Sequence, residues 1–214
     1  MQRGDGDEAE DKWKVLSLTH VEYQEGDTLG KIFAIYSLLP LAIVIVFLTA
    51  FFFRRDLHTF TFGLGVIVNY AANTVLKKYI AEPRPKQRYY KTNSQDRFGF
   101  MLCFRSVQFE EFGMPSSHSQ FMWFCSAYLV LFTLFRLTHT ITWKTLSVGL
   151  CLGASTLMSY SRVYLQYHTP SQVVWGAVVG GLGALLWFLV TQLIFTPLYP
   201  TVERWGISEY FMIR

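Results

Sequence analysis

The chain has 214 residues and a formal net charge of +4; 51% of it is hydrophobic, 17% aromatic and only 16% charged. A soluble domain averages about 25% charged, and several apolar runs here approach the ~20 residues that cross a bilayer, so a water-soluble globule is a poor description. The modest charge, with no interleaved basic and aromatic patch and no zinc-ligand spacing, gives a nucleic-acid partner no support.

Residues 1–30 are polar and begin MQRGDGDEAEDKWK, too acidic for a signal peptide, so the first apolar segment is expected to act as the insertion signal. That segment runs from Ile32 to Phe53 and stops at Arg54-Arg55-Asp56. A second span is predicted over Leu57–Ile80, with Asn69 and Asn73 four apart on one helical face. A polar, Pro- and Arg-rich connection follows from Glu82 to about Pro115. Further spans are predicted over Ser117–Leu137, Thr145–Tyr160 and Ser171–Phe195. The last of these carries Gly176, Gly180, Gly183 and Ala184, small residues that suit close helix packing in lipid and suit an unspecialised membrane helix equally well. No Asp or Glu occurs between Glu111 and Glu203. Cys103, Cys125 and Cys151 are scattered and read as small hydrophobes, not as a disulfide or metal framework. The expected architecture is an all-α polytopic membrane bundle of about five transmembrane helices, with a polar segment over 1–30, a membrane domain over 31–196 and a C-terminal segment over 197–214.

With five spans, the Glu82–Pro115 connection, the Ser161–Pro170 connection and the N-terminus share one membrane face, and the C-terminus lies opposite. Three polar stretches gather on that shared face. The first holds Lys77, Arg84 and Pro85; the second is Pro115-Ser116-Ser117-His118; the third runs from Ser161-Arg162 to His168. Arginine presents forked donors to phosphate oxygens, and lysine adds a point charge. The backbone amides of Ser116, Ser117 and His118 open a helix, where unpaired N–H groups favour anions. Two histidines at phosphate distance supply a nucleophile and an acid–base group. Taken singly, each piece has a plainer reading: Lys77, Lys78 and Arg84 anchor a helix end at the interface, and Ser116 is an N-cap.

In order, Lys-x6-Arg-Pro, Pro-Ser-Ser-His and Ser-Arg-x5-His resemble the three signatures of the type 2 phosphatidic acid phosphatase superfamily, which also includes the vanadium haloperoxidases. Leu18-Thr-His-Val-Glu-Tyr23, GMPSSHSQFMWF, SYSRVYLQYHTPSQV and TPLYPTVERWGISEYFMIR resemble more narrowly its dolichyldiphosphatase branch. One departure is a longer connection, with an insert near residues 98–109. The resemblance implies catalysis by His168 as nucleophile and His118 as acid and base. It implies phosphate binding by Lys77, Arg84, Ser116, Ser117 and Arg162, with Ser161 a donor beside Arg162. No metal or other cofactor is implied, and the scarcity of carboxylates near the site argues against a two-metal phosphatase. The implied partner is a polyprenyl diphosphate lipid, and the implied place is the endoplasmic reticulum membrane with the site facing the lumen. Arg54, Arg55, Arg136 and Lys144 on the opposite face agree with the positive-inside rule, but the lysines and arginines on the site face blur the count. His20, His58 and His139 take structural readings.

The superfamily usually carries Asp four residues after the last histidine. Here that position is Gln172, a departure the dolichyldiphosphatase branch shares. An Asp would accept from Nδ1–H and offset the charge that forms on the imidazole; the Gln172 carbonyl fixes the tautomer without the charge. A diphosphate is expected to tolerate this, since its leaving group is a phosphate monoester, so Gln172→Asp is expected to help monophosphate esters more than diphosphates. Rival readings are a phosphatase of other lipid phosphates, such as phosphatidate or a sphingoid phosphate, and an inactive lipid-binding member. A pore is disfavoured because charges gather at one end and do not line a path, and a haloperoxidase because those are soluble. The oligomeric state is left open.

Overall fold

The computed structural model describes residues 13–16, 21–24, 26–85 and 112–204. The insert near 98–109, Cys103 and most of the expected C-terminal segment lie outside the described residues. The helical bundle expected from the sequence is preceded by a short hairpin. β1 (Trp13–Leu16) and β2 (Val21–Gln24) pair antiparallel, Trp13 opposite Gln24 and Leu16 opposite Val21, in segments rich in the aromatic and β-branched residues that suit a pleated surface.

The first apolar run forms two helices, α1 (Thr28–Tyr36) and α2 (Leu39–Arg54). Pro40 is the cause: it has no N–H to donate to the Tyr36 carbonyl. The chain tightens instead, Leu38 N–H reaching the Ile35 carbonyl at 3.0 Å. α2 ends at Arg55 in the left-handed region, and Asp56 caps α3 (Leu57–Ile80) by accepting from the Thr59 amide at 3.0 Å. α4 (Ser117–Phe135), α5 (Ile141–Tyr164) and α6 (Pro170–Val190) follow. A wider π turn over Thr191–Phe195 then leads into α7 (Thr196–Glu203).

Among the described residues, four segments are long and apolar enough to cross a membrane: Thr28–Arg54, Leu57–Ile80, Ser117–Phe135 and Pro170–Val202. The remaining expected span, α5, has 24 residues, about 36 Å of helix, but its serines, threonines and glycines dilute its hydropathy. Most of those hydroxyls are satisfied by hydrogen bonds within the protein. Thr145 and Thr156 donate to carbonyls one turn back, and Ser155 donates to Ser126 Oγ at 2.6 Å and to the Met122 carbonyl at 3.0 Å. Apolar side chains such as Phe53, Val75, Ile141 and Leu193 face outward, as a lipid-facing surface requires.

The bundle centre is the α4–α6 contact. A Cβ on Gly176 would sit 2.8 Å from the Ser116 carbonyl oxygen, and one on Gly180 would run into the Gln120 carbonyl. The small residues on α6 are therefore what lets its backbone lie against α4. Phe62, Phe124, Tyr128 and Phe188 fill the core between α3, α4 and α6, with Phe62 and Tyr128 rings 5.0 Å apart. A second cluster of Val21, Phe33, Ala34 and Leu165 ties the hairpin to α1 and to the turn after α5. The C-terminal ends of α3 and α5 and the N-terminal ends of α4 and α6 thus come together at one end of the bundle.

Candidate active site

Lys77 stands in the last turn of α3, one and two helical turns beyond Asn73 and Asn69 on the same face. It is only 2% exposed, and its Nζ donates to Ser117 Oγ at 2.6 Å. Ser117 Oγ donates on to Asn73 Oδ1 at 3.1 Å. Asn73 Nδ2 donates to Gln120 Oε1 at 2.7 Å, and Gln120 Nε2 to Asn69 Oδ1 at 2.9 Å. This buried ladder stitches α3 to α4 and fixes the height of the ammonium group. A network of this kind is worth having in a low-dielectric interior only when its members are satisfied.

Ser116 sits at the N-cap of α4 but makes no side-chain cap. Its amide donates to the Gln172 carbonyl at 3.1 Å. That amide is therefore not open to a ligand, contrary to the sequence expectation. The turn offers instead the amides of Ser117 and His118, which as first helical positions lack intrahelical acceptors, and the Ser116 hydroxyl. Ser116 Oγ is buried with no hydrogen-bond partner among the described residues, and so is Arg84 Nε. Orphaned buried polar atoms need an explanation, and a bound anion is one. Arg84 is brought in by a pinned loop base: Pro83 bridges Phe112, and the Gly113 amide donates to the Glu82 carbonyl at 2.7 Å.

Arg162, in the last turn of α5, is 3% exposed. It donates to Ser37 Oγ through Nη2 and, at 3.4 Å, to Ser161 Oγ through Nε, and it lies 5.7 Å from the Tyr167 ring centroid. Ser161 accepts from Arg162 and donates to the Met158 carbonyl at 2.7 Å, so its hydroxyl is committed to the protein. Beyond α5, Gln166 takes a positive φ of 58°, and the turn folds back until the Arg162 carbonyl accepts from the Tyr167 amide at 3.0 Å and the His168 amide at 3.3 Å. Arg162 and His168 are thus held by one backbone knot.

His168 is 5% exposed, and its Nδ1 lies 3.2 Å from Gln172 Oε1. Thr169 and Gln172 form a reciprocal capping box at the start of α6, the local reason that a residue four positions on reaches back to the imidazole. Burial pushes the His168 pKa well below its ordinary 6.5, and the charges of Arg84, Lys77 and Arg162 act in the same direction against the Gln172 hydrogen bond. Burial also lowers the pKa of Arg84, though a guanidinium keeps its charge. His118 opens α4, and Arg162, His168, Lys77 and Arg84 are all near enough to act on its charge. The residues that the sequence assigned to the site are therefore at one end of the bundle: three cations and two imidazoles around two orphaned donors. Among the described residues no three His, Cys, Asp or Glu side chains gather as a metal-ligand set.

Three contributors were not singled out in the sequence. Ser37, at the α1–α2 break, holds Arg162; Gln120 completes the ladder. Glu82 accepts from Gln172 Nε2 at 2.9 Å. Only Glu82 had a visible signal, its place between the Lys77 and Arg84 of the first signature.

The family model for the PAP2 superfamily matches residues 58–195. Dolichyldiphosphatase 1 of Rhinolophus ferrumequinum is 44% identical over 210 residues, covering 94% of this chain and 82% of the relative. Dolichyldiphosphatase 1 of Mus musculus matches at the same identity and coverage. Lipid phosphate phosphatase gamma of Arabidopsis thaliana is 32% identical over 206 residues, covering 94% of this chain and 84% of the relative. No solved structure matches the chain at a significant level.

Proposed function

Because this chain belongs to the PAP2 superfamily, we propose that it is a membrane-embedded enzyme hydrolysing dolichyl diphosphate to dolichyl phosphate and inorganic phosphate. The relatives named dolichyldiphosphatase, 42% to 44% identical, support the substrate. The observation that carries the chemistry is the meeting of Lys77, Arg84, Arg162, His118 and His168 around the unpartnered Arg84 Nε and Ser116 Oγ.

The reaction proceeds in two displacements. The neutral His168 Nε2 lone pair attacks the terminal phosphorus in line, and the bond from that phosphorus to the bridging oxygen breaks. Dolichyl phosphate leaves on that oxygen, taking the proton that His118 carries once the negative charge of the bound diphosphate offsets the cations around it. His118, now neutral, removes a proton from water as the water oxygen attacks the phosphohistidine. The P–N bond breaks, phosphate leaves and His168 returns neutral. Lys77, Arg84, Arg162, the Ser116 hydroxyl and the amides of Ser117 and His118 hold the equatorial oxygens; positioning and charge stabilisation are the main sources of rate in phosphoryl transfer. Ser161 and Gln172 orient Arg162 and His168 from behind. The site lies at one end of the apolar helices, so the lipid tail stays in the bilayer while its headgroup reacts.

We place the protein in the endoplasmic reticulum membrane with this end lumenal, recycling the lipid carrier of N-glycosylation, and the catalytic domain within residues 31–196. A glycosylation acceptor inserted in the connection between Glu82 and Pro115 is modified in that orientation; its escape from modification refutes it. The test of the reaction is phosphate release by the purified protein in detergent from dolichyl diphosphate, dolichyl phosphate and phosphatidate, with chelator present. Chelator-resistant release from the diphosphate, abolished by His168→Ala, is expected. Equal rates on phosphatidate favour a broad lipid phosphate phosphatase, the reading that the Arabidopsis relative's name suggests. No release from any of the three favours an inactive member.

A further inference from the structure

Gln172 is fully buried, and its amide is held at both ends. The nitrogen donates to Glu82 Oε1 at 2.9 Å and to the Pro83 carbonyl at 3.0 Å. The oxygen accepts from the Thr169 amide at 3.3 Å and faces His168 Nδ1 at 3.2 Å. The reverse orientation would set the oxygen against a carboxylate and a carbonyl, and the NH2 against an N–H donor. The contacts therefore settle an assignment that the atoms of an amide alone leave ambiguous. Since Gln172 presents an oxygen, His168 Nδ1 carries the proton, and Nε2 keeps the lone pair. Even the space for this arrangement is specific: a Cβ on Gly113 would lie 2.6 Å from Gln172 Oε1.

We propose that Glu82 is a positioning residue for His168, acting through the Gln172 amide: it supplies, one hydrogen bond further away, the carboxylate that position 172 lacks. The inference rests on the reading of His168 as the nucleophile. When Nε2 bonds to phosphorus, positive charge spreads over the imidazole and draws on the Nδ1–H bond to Gln172. The amide passes that demand to Glu82 by strengthening its own N–H donation, as linked hydrogen bonds do in a low-dielectric site. Near His168, among the described residues, the charges from the neighbouring elements are otherwise cationic: Lys77 on α3, Arg84 beyond it and Arg162 on α5, with the imidazole of His118 on α4. Among the described residues, Glu82 is the carboxylate linked to this ring through Gln172, and its side chain is half-buried, so solvent screens it only in part.

The test is E82Q and the exchange E82Q/Q172E, made in the full-length protein. E82Q keeps an oxygen that accepts from Gln172 but removes the charge. The exchange puts a carboxylate directly on His168 Nδ1 with an amide behind it. His168 is followed by 15N NMR without substrate, and kcat and KM are measured on dolichyl diphosphate. In wild type, His168 is expected as the Nδ1–H tautomer. E82Q is expected to lower its titration midpoint, because a stabilising negative charge has gone, and to lower kcat about tenfold, the worth of a charge-assisted hydrogen bond at the low end, with KM nearly unchanged. The exchange is expected to restore both midpoint and kcat, whereas Q172E alone, with two carboxylates abutting, is expected to lower kcat below that of wild type. An Nε2–H tautomer in wild type overturns the proposal. So does an unchanged midpoint in E82Q, or an exchange no better than E82Q. The titration needs no substrate. A wild type that fails to turn over dolichyl diphosphate, yet shows the Glu82-dependent midpoint, removes the functional reading and leaves the coupling in place.

Discussion

Replacing Lys77 by methionine sets activity and stability against each other. The side chain is 2% exposed, and its Nζ bonds Ser117 Oγ at 2.6 Å. Methionine is of similar length and volume and fills the same space. Desolvating an ammonium group is costly, and an apolar replacement of matched shape is commonly neutral or stabilising. Ser117 still has Asn73 Oδ1, 3.1 Å away, to donate to, so the ladder loses a donor without leaving a proton stranded. The phosphate loses one charged donor, and hydrogen bonds to charged groups are worth about 1.5–3 kcal/mol. That corresponds to a fall in kcat/KM of roughly 10- to 150-fold. Phosphate release from dolichyl diphosphate measures the first effect, and thermal unfolding in the same detergent measures the second. The expected pair is a large loss of kcat/KM with an unchanged or raised melting temperature. A variant that melts markedly lower while its folded fraction turns over at the normal rate refutes the reasoning, because Lys77 would then be holding the bundle together and not the phosphate.

Burial, aided by Arg84, Lys77 and Arg162, pushes the His168 pKa well below 6.5, so in the proposed mechanism protonation should disable His168 only at pH well below 6.5; the acid limb of kcat/KM that belongs to His168 is expected there, and a limb centred at or above 6.5 that tracks His168 titration by NMR contradicts it. Gly176→Ala should destabilise the protein by about 1–3 kcal/mol through overpacking, despite the ordinary gain of replacing a helical glycine, because the new methyl meets the Ser116 carbonyl oxygen at 2.8 Å and Ser119 Cβ at 3.1 Å. Gly181, one position from Gly180 but with nothing within 4 Å, is the control: Gly181→Ala should be neutral or stabilising, and equal melting temperatures for the two variants refute the close α4–α6 contact.

How far the sequence could be read depended on whether a residue's role was local. The helices were legible because an apolar run of sufficient length must close its own backbone hydrogen bonds in lipid, and Asp56, Thr169 and Pro170 mark their starts. The α1–α2 break was missed although Pro40 is in plain sight, since proline is tolerated inside many membrane helices; what decides here is that the freed turn places Ser37 against Arg162, a contact 125 residues away in the chain. α5 was legible only because its neighbours required it, Ser155 being turned inward to α4 while Thr145 and Thr156 bond back to their own helix. Motif order identified the cations and histidines, but not which of their groups are already taken: the Ser116 amide belongs to Gln172, and the Ser161 hydroxyl to Met158.

Gln172 shows the limit most clearly. Read along the chain, it is an aspartate that lost its charge, and aspartate at that position looks like an improvement for monophosphate esters. In the folded protein, the Gln172 amide nitrogen points at the Glu82 carboxylate and the Pro83 carbonyl. An Asp there would present a second anion to both, and its shorter side chain would leave Glu82 without its donor. The glutamine is thus matched to an acid 90 residues earlier, and the two have to be exchanged together for a carboxylate to sit on His168. The same matching explains why the pinned base at Glu82–Gly113 would matter to the proposed chemistry: it sets Arg84, with its unpartnered Nε, and Glu82, bonded to Gln172, two residues apart on one short strap. A substitution in that strap moves the binding charge and the balancing charge at once, and its effect on kcat therefore need not follow its effect on KM.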